Sequence, residues 1–175
     1  MARKKLSIVL LDKKEHADLY GLLEETYAKN HFKRMRETKP KIALGESKTW
    51  SADPDGRQRL GLCKRVSELD RQLHGFDYVI LIHESVLENK EAFGEKLLRA
   101  LIDHELCHCS VSLDSDNEIK RDENGRPIYR IRKHDLEEFQ EIVHRHGLYK
   151  NDIARFARVI VENQKRPLFK QALGS

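Results

Sequence analysis

A histidine–glutamate motif is the clearest chemical signal in the sequence. His104-Glu105-Leu106-Cys107-His108 has the pattern HExxH. Two histidines four positions apart on a helix lie one above the other on the same face, so both imidazoles can bind one Zn²⁺ at about 2.0–2.1 Å. Glu105 stands between them and can take a proton from a water that the metal has activated. The motif therefore predicts zinc-dependent peptide hydrolysis with Glu105 as general base.

A catalytic zinc needs a third protein ligand and one open position. His134 follows His108 by 26 residues and stands at the start of the next predicted helix. That interval fits a hairpin that folds out and returns the chain to the motif. We favour His134 as the third ligand. Glu138 and Glu137 are alternatives, and Glu138 could instead accept a hydrogen bond from a ligand's second ring nitrogen.

The motif lies in a predicted helix over residues 91–113. Phe93, Leu97, Leu101, His104 and His108 recur at helical spacing and form one stripe. After this helix, Asn124-Gly125 between alternating segments predicts a hairpin over residues 118–132.

The other segments alternate between helical and strand patterns. Helices are predicted over 14–32, 67–73, 135–146 and 152–163, and strands over 41–47, 60–66 and 76–83. Asp12 is the expected N-cap of the first helix, and Gly75 and Gly147 are expected to end later ones. This order of elements favours an α+β fold.

Length and composition point to one soluble domain over residues 1–175, with a basic arm at 1–5 and a tail at 164–175. Apolar residues are 39% and charged residues 35% of the chain, and the net charge is +4. No apolar run reaches the length of a membrane span, and no signal peptide is predicted. Three cysteines fit a reducing compartment, so a cytoplasmic location is expected.

Residues 29–41 carry a concentration of basic side chains. Such a segment can contact DNA, and it can equally be the solvated end of a helix, where cations suit the helix dipole. Trp50 is expected in the core or in a cleft. Three residues are unranked candidates for stabilising an oxyanion: Tyr129, Tyr149 and His144.

Two segments carry a resemblance to a known family. Asp103-His104-Glu105-Leu106-Cys107-His108 and His134-Asp135-Leu136-Glu137-Glu138-Phe139, with the hairpin between them, resemble the putative phage metallopeptidase family. The likeness extends from about residue 41 to 149. Members are zincins of bacteriophage and prophage genomes, and the wider pattern is similar to SprT/Spartan-like proteases. In those proteases a histidine shortly before a phenylalanine completes the site, and here that spacing is one residue longer.

The resemblance implies a small zincin-like domain, with a short mixed sheet packed on the active-site helix, a hairpin insertion and C-terminal helices. It implies zinc at His104 and His108, a catalytic role for Glu105 and a third ligand from the following helix. In zincins a strand before this helix commonly follows the substrate cleft. Residues 78–82 are the counterpart, either as an edge that pairs with an extended peptide or as a fully buried strand.

Three functions remain open at this point. The first is a zinc metallopeptidase acting on a protein or peptide, in the host cytoplasm if the chain is phage-encoded. The second is a DNA- or protein-binding module that keeps a zincin-like fold without catalysis. The third is a protease that cleaves one regulatory partner.

Overall fold

The chain forms two compact units, Met1–Arg132 and Lys133–Ser175. The computed structural model describes residues 7–30, 33–136 and 140–164. Each unit is taken by itself below. The sequence-based prediction of one domain over 1–175 stays a prediction.

A four-stranded mixed sheet is the centre of the first unit. Its strand order is β1-β2-β4-β3. The strands are β1 (Ile8–Leu10), β2 (Ile42–Ser47), β3 (Gly61–Arg65) and β4 (Tyr78–His83). β2 runs parallel to β4, while β1 and β3 pair antiparallel with β2 and β4. The predicted α+β fold with a short mixed sheet is confirmed.

The described residues of the first unit also form helices. They are α1 (Ala17–Asn30), α2 (Lys33–Thr38), α3 (Glu68–His74), α4 (Glu84–Glu88) and α5 (Lys90–His108). Alternate residues of a strand share a face. Ile80 and Ile82 of β4 therefore enter one core, together with Leu19 of α1 and with Ile102 and Leu106 of α5. Burial of these side chains holds α5 against the sheet.

A second, two-stranded sheet follows α5 directly. β5 (Cys109–Val111) pairs antiparallel with β6 (Tyr129–Ile131). Between these strands the chain folds into a hairpin whose tip is a turn from Asp122 to Gly125, where Gly125 has φ 73°. The sequence predicted this hairpin from Asn124-Gly125, and the turn is confirmed.

The predicted helix over 91–113 is wrong at its end, and its predicted apolar stripe is right only in part. α5 ends at His108 because Cys109 is buried and begins a strand that β6 pairs. The buried residues of α5 are Leu98, Ile102, Glu105 and Leu106. In the predicted stripe, Phe93 and Leu101 pack against the core, whereas Leu97 is 58% exposed and His104 is also exposed.

The other predicted elements are found with small shifts of their ends, except the helix predicted over 135–146. Residues 135 and 136 are not helical, 137–139 lie outside the described residues, and the helix that follows begins at Gln140. Asp12 accepts the backbone N–H groups of Lys14 and Glu15 before α1. Ser67 caps α3, which ends at Gly75 with φ 72°. In the second unit α6 (Gln140–His146) ends before Gly147, and α7 spans Asn151–Gln164.

Candidate metal centre

Two histidines stand on the last turns of α5. The ring centroids of His104 and His108 are 5.1 Å apart, and the rings meet edge to face at 81°. His104 is exposed and His108 is half-buried. The four-residue spacing therefore places both imidazoles on the same outward face, as the motif predicted.

Strand β6 fixes the orientation of the His108 ring. His108 Nδ1 lies 2.7 Å from the carbonyl oxygen of Arg132, and Arg132 N donates to the His108 carbonyl at 2.8 Å. A carbonyl oxygen can only accept, so Nδ1 carries a proton, and in the neutral ring Nε2 then carries the lone pair. Histidines that bind metals commonly have their second nitrogen held by such an acceptor.

His134 lies just after β6, two residues beyond Arg132. Two residues of chain span at most about 7 Å, so the bond between His108 and Arg132 keeps His134 close to the motif. One ligand atom each of His104, His108 and His134 lies within 4.8 Å of the other two. His134 is outside a helix, contrary to the expectation that it stands at a helix start, since α6 begins at Gln140.

The other candidate ligands are not part of the group that the described residues form. Glu137 and Glu138 lie outside the described residues, as does the side chain of Glu141. His144 and His146 are exposed on α6.

The donor set of the group suits zinc. Three imidazoles are borderline ligands of the kind that Zn²⁺ prefers. Two nitrogens bound at 2.1 Å in a tetrahedron are about 3.4 Å apart, which lies inside the 4.8 Å limit for these side chains. The residues therefore fit a metal ion, and the three histidines leave one position of a tetrahedral ion open.

Glu105 is buried against β3. Only 4% of the residue is exposed, and the backbone N–H of Cys63 donates to its carboxylate. A Cβ atom placed on Gly61 would lie 2.5 Å from Glu105 Oε1 and 2.9 Å from its Cδ. Ordinary contacts of a Cβ are 3.4–4 Å, so the carboxylate occupies space that any other residue at position 61 would fill.

Burial also changes the acidity of this carboxylate. Removal from water raises the pKa of Glu105, while the charge of His108, the Cys63 N–H and the charge of Arg59 oppose that rise. The net effect is a pKa above the ordinary value for glutamate. A general base with a raised pKa holds a transferred proton more readily near neutral pH.

Sequence reasoning missed Gly61, Cys63 and Arg59 as neighbours of Glu105. For Gly61 the sequence did hold one signal, because a glycine in a strand often marks a place where another group approaches the backbone closely. The Cys63 contact is made by the backbone N–H, which almost every residue type has, so the sequence could not indicate it. The charge of Arg59 is one of many in the sequence, and only the pairing of β3 with β4 brings it to Glu105.

Strand β4 is not an edge, so a peptide cannot pair with residues 78–82. β2 and β3 occupy its two sides, and its residues are buried on both faces apart from the half-buried Val79. The buried-strand alternative is therefore the right one. β3 is the strand at this end of the sheet as far as the described residues show, and it lies beside Glu105.

Tyr129 is engaged elsewhere in the core. Its ring is buried, and its hydroxyl donates to the carbonyl of Thr38 at 3.3 Å. The guanidinium of Arg71 lies over the ring. This removes Tyr129 from the candidates for stabilising an oxyanion. Tyr149 and His144 are exposed residues of the second unit, and a role for either in stabilising an oxyanion stays a prediction.

Fold and site together define an α+β protein with a three-histidine group capable of binding a metal ion. The model of the putative phage metallopeptidase family matches residues 12–161. The chain belongs to this family. The resemblance seen at the two histidine segments is thereby confirmed over a longer stretch.

No curated protein and no solved structure matched the chain. Separately, none of the described helices combines the length and the apolar character that crossing a membrane requires.

Proposed function

We propose that the protein is a zinc-dependent metallopeptidase in which Glu105 is the general base. The observation that carries this proposal is the juxtaposition, on one helix, of two outward histidines and a buried glutamate at the same turn. Membership of a metallopeptidase family supports it.

In this proposal His104, His108 and His134 hold the zinc ion. When bound, zinc supplies a Lewis acid that lowers the pKa of water to about 7. The Arg132 carbonyl keeps His108 Nε2 directed to the ion, because it holds the Nδ1 proton. An imidazole in a fixed tautomer needs no rearrangement to bind.

Glu105 has two proton transfers to perform. It accepts a proton from the attacking water and gives it to the nitrogen of the leaving amine, so that the scissile C–N bond breaks without an unstable amide anion. The Cys63 N–H and the space at Gly61 keep the carboxylate at one position during both transfers. Burial excludes bulk water from its inner side.

Glu105→Gln is the direct test, because it keeps the shape of the side chain and removes the base. Hydrolysis of a mixed pool of unstructured peptides, read by mass spectrometry, should fall about 10²- to 10⁴-fold, with zinc content unchanged. Glu91→Gln, an exposed position on the same helix, is the control and should retain full activity. A zinc-loaded wild type that cleaves no peptide, or an equally active Glu105→Gln, contradicts the proposal and favours a binding module.

DNA contact through residues 29–41 stays a prediction. Lys29 forms an ion pair with Glu25, and Arg34 pairs with Glu37 and Glu118. These pairs lower the positive charge that the segment presents to a phosphate backbone, so they give DNA binding no support.

A further inference from the structure

The chain just before β3 carries an arginine, Arg59, whose charge acts on the buried carboxylate of Glu105. Arg59 precedes β3 by two residues, and the pairing with β4 already extends to Leu60, whose carbonyl accepts from His83 N at 2.9 Å. Arg59 comes two residues before Gly61, the residue against which Glu105 packs, so its backbone lies within about 7 Å of that contact.

An aromatic support holds this arginine in place. The guanidinium of Arg59 lies 5.8 Å from the ring centroid of Trp50. Trp50 in turn stacks on His83 with centroids 6.2 Å apart and planes at 24°. The Trp50 carbonyl accepts from His83 Nε2 at 3.0 Å and from Gln58 Nε2 at 2.8 Å. The ring is thus fixed to β4, and a guanidinium stacked on it loses less freedom on binding.

Apart from the attraction to Glu105, the guanidinium forms no ion pair with a carboxylate of the described residues, and Arg59 is exposed. Many other cations of the first unit are paired, including Arg71 with Asp77 and Arg126 with Asp122. Arg59 therefore offers the donors of its planar fork to a ligand, and such a fork matches a carboxylate in a two-pronged hydrogen bond.

We propose that Arg59 binds a carboxylate of the peptide substrate close to the scissile bond. This inference rests on the proposed peptidase function and names its substrate class: peptides with an acidic side chain near the cleaved bond, or with a free C-terminal carboxylate at that place. Both ligands present the same group to the guanidinium, and Trp50 forms the wall behind it.

The test measures binding, so it does not depend on turnover. The full chain with Glu105→Gln is loaded with zinc and titrated into three labelled decapeptide pools, followed by fluorescence anisotropy at low salt. One pool carries a single Glu, moved through the sequence, and an amidated C-terminus. The second carries Gln in place of Glu and a free C-terminus. The third has Gln and an amidated C-terminus, and so no carboxylate.

The proposal expects about tenfold tighter binding of one carboxylate pool than of the third pool, the size typical of a charged hydrogen bond. The pool that is preferred identifies the source of the carboxylate. Adding Arg59→Gln should abolish the preference. Adding Arg57→Gln, an exposed arginine of the same loop, should leave it intact.

Three results would overturn the inference. The first is equal binding of all pools, and the second is a preference for a carboxylate pool that survives Arg59→Gln. The third is a loss of that preference in Arg57→Gln as large as in Arg59→Gln, which would indicate an effect of general surface charge. The folded state of each variant is checked by its zinc content and its unfolding midpoint. Failure of the peptidase proposal is seen separately, as absence of peptide cleavage by the wild-type protein.

Discussion

At the scale of single residues, Gly61 is important because it has no side chain where Glu105 packs against it. The carboxylate of Glu105 fills the position that a side chain would take, and the Cys63 N–H holds the same group from the next part of β3. Glu105 is therefore positioned by a strand from another part of the sequence, as well as by its own helix. A change at Gly61 should act on Glu105 without touching the histidines.

Gly61→Ala is expected to lower peptide hydrolysis about 10²-fold while zinc binding persists. The new Cβ would lie 2.5 Å from Glu105 Oε1, so the carboxylate must move by about 1 Å, and a displacement of that size costs about this much in rate. Peptide hydrolysis and zinc content of the purified variant check the prediction.

Gly21→Ala is the matched control for this variant. Gly21 lies in α1, and a Cβ there has no heavy atom within 4 Å. This change should leave activity unaltered and raise the free energy of unfolding by about 0.5–1 kcal/mol, because alanine favours a helix. Full activity of Gly61→Ala would show that the position of Glu105 does not depend on this contact.

At the scale of elements, α5 is two helical pieces joined at Gly94. This residue has φ 70° and ψ 154°, a conformation open in practice to glycine alone. The interruption separates the first turn of α5 from the longer piece that carries Leu98, Ile102 and the motif.

Gly94→Ala should therefore destabilise the protein by about 1–3 kcal/mol. A Cβ at this position meets no heavy atom within 4 Å, so the cost comes from the backbone conformation and not from a clash. Urea unfolding measures the effect. Gly21→Ala should instead stabilise the protein. A Gly94→Ala protein as stable as the wild type would show that the backbone conformation at position 94 does not require glycine.

Local sequence signals predicted most elements well because their causes are local. Asp12, Ser67 and the turn at Gly125 act on backbone groups within a few residues of themselves. The end of α5 was missed because Cys109 forms a strand only when β6 supplies its partner, and that pairing joins residues about 20 positions apart. Helical periodicity placed Phe93 and Leu101 of α5 against the core, as found, but it wrongly included the exposed Leu97. Periodicity alone could not say which apolar residues of the helix are most buried.

The residues of the candidate site also divide into those that local spacing predicts and those that depend on strand pairing. His104, Glu105 and His108 were readable because four-residue spacing fixes their relation on a helix. His134 was named from the sequence, but its position after β6 rather than on a helix depends on the β5–β6 pairing. Gly61 and Arg59 come to Glu105 through sheet register, which a single sequence does not display.

On the scale of the whole molecule, we claim that the first unit positions most of the candidate site. The sheet, α5 and the β5–β6 hairpin together fix two histidines, a buried glutamate and the point at which the chain leaves β6 toward His134. Family membership and the three-histidine group agree with a metal-dependent enzyme. The metal and its ligands are therefore the point on which every functional proposal depends.

X-ray absorption at the zinc edge, on the full chain loaded with one equivalent of zinc, tests that claim most directly. We expect one tightly held ion per chain with three imidazole nitrogens at about 2.0–2.1 Å and one oxygen, and loss of one imidazole in His134→Ala. A chain that retains no zinc, or a spectrum without histidine nitrogens, would contradict it.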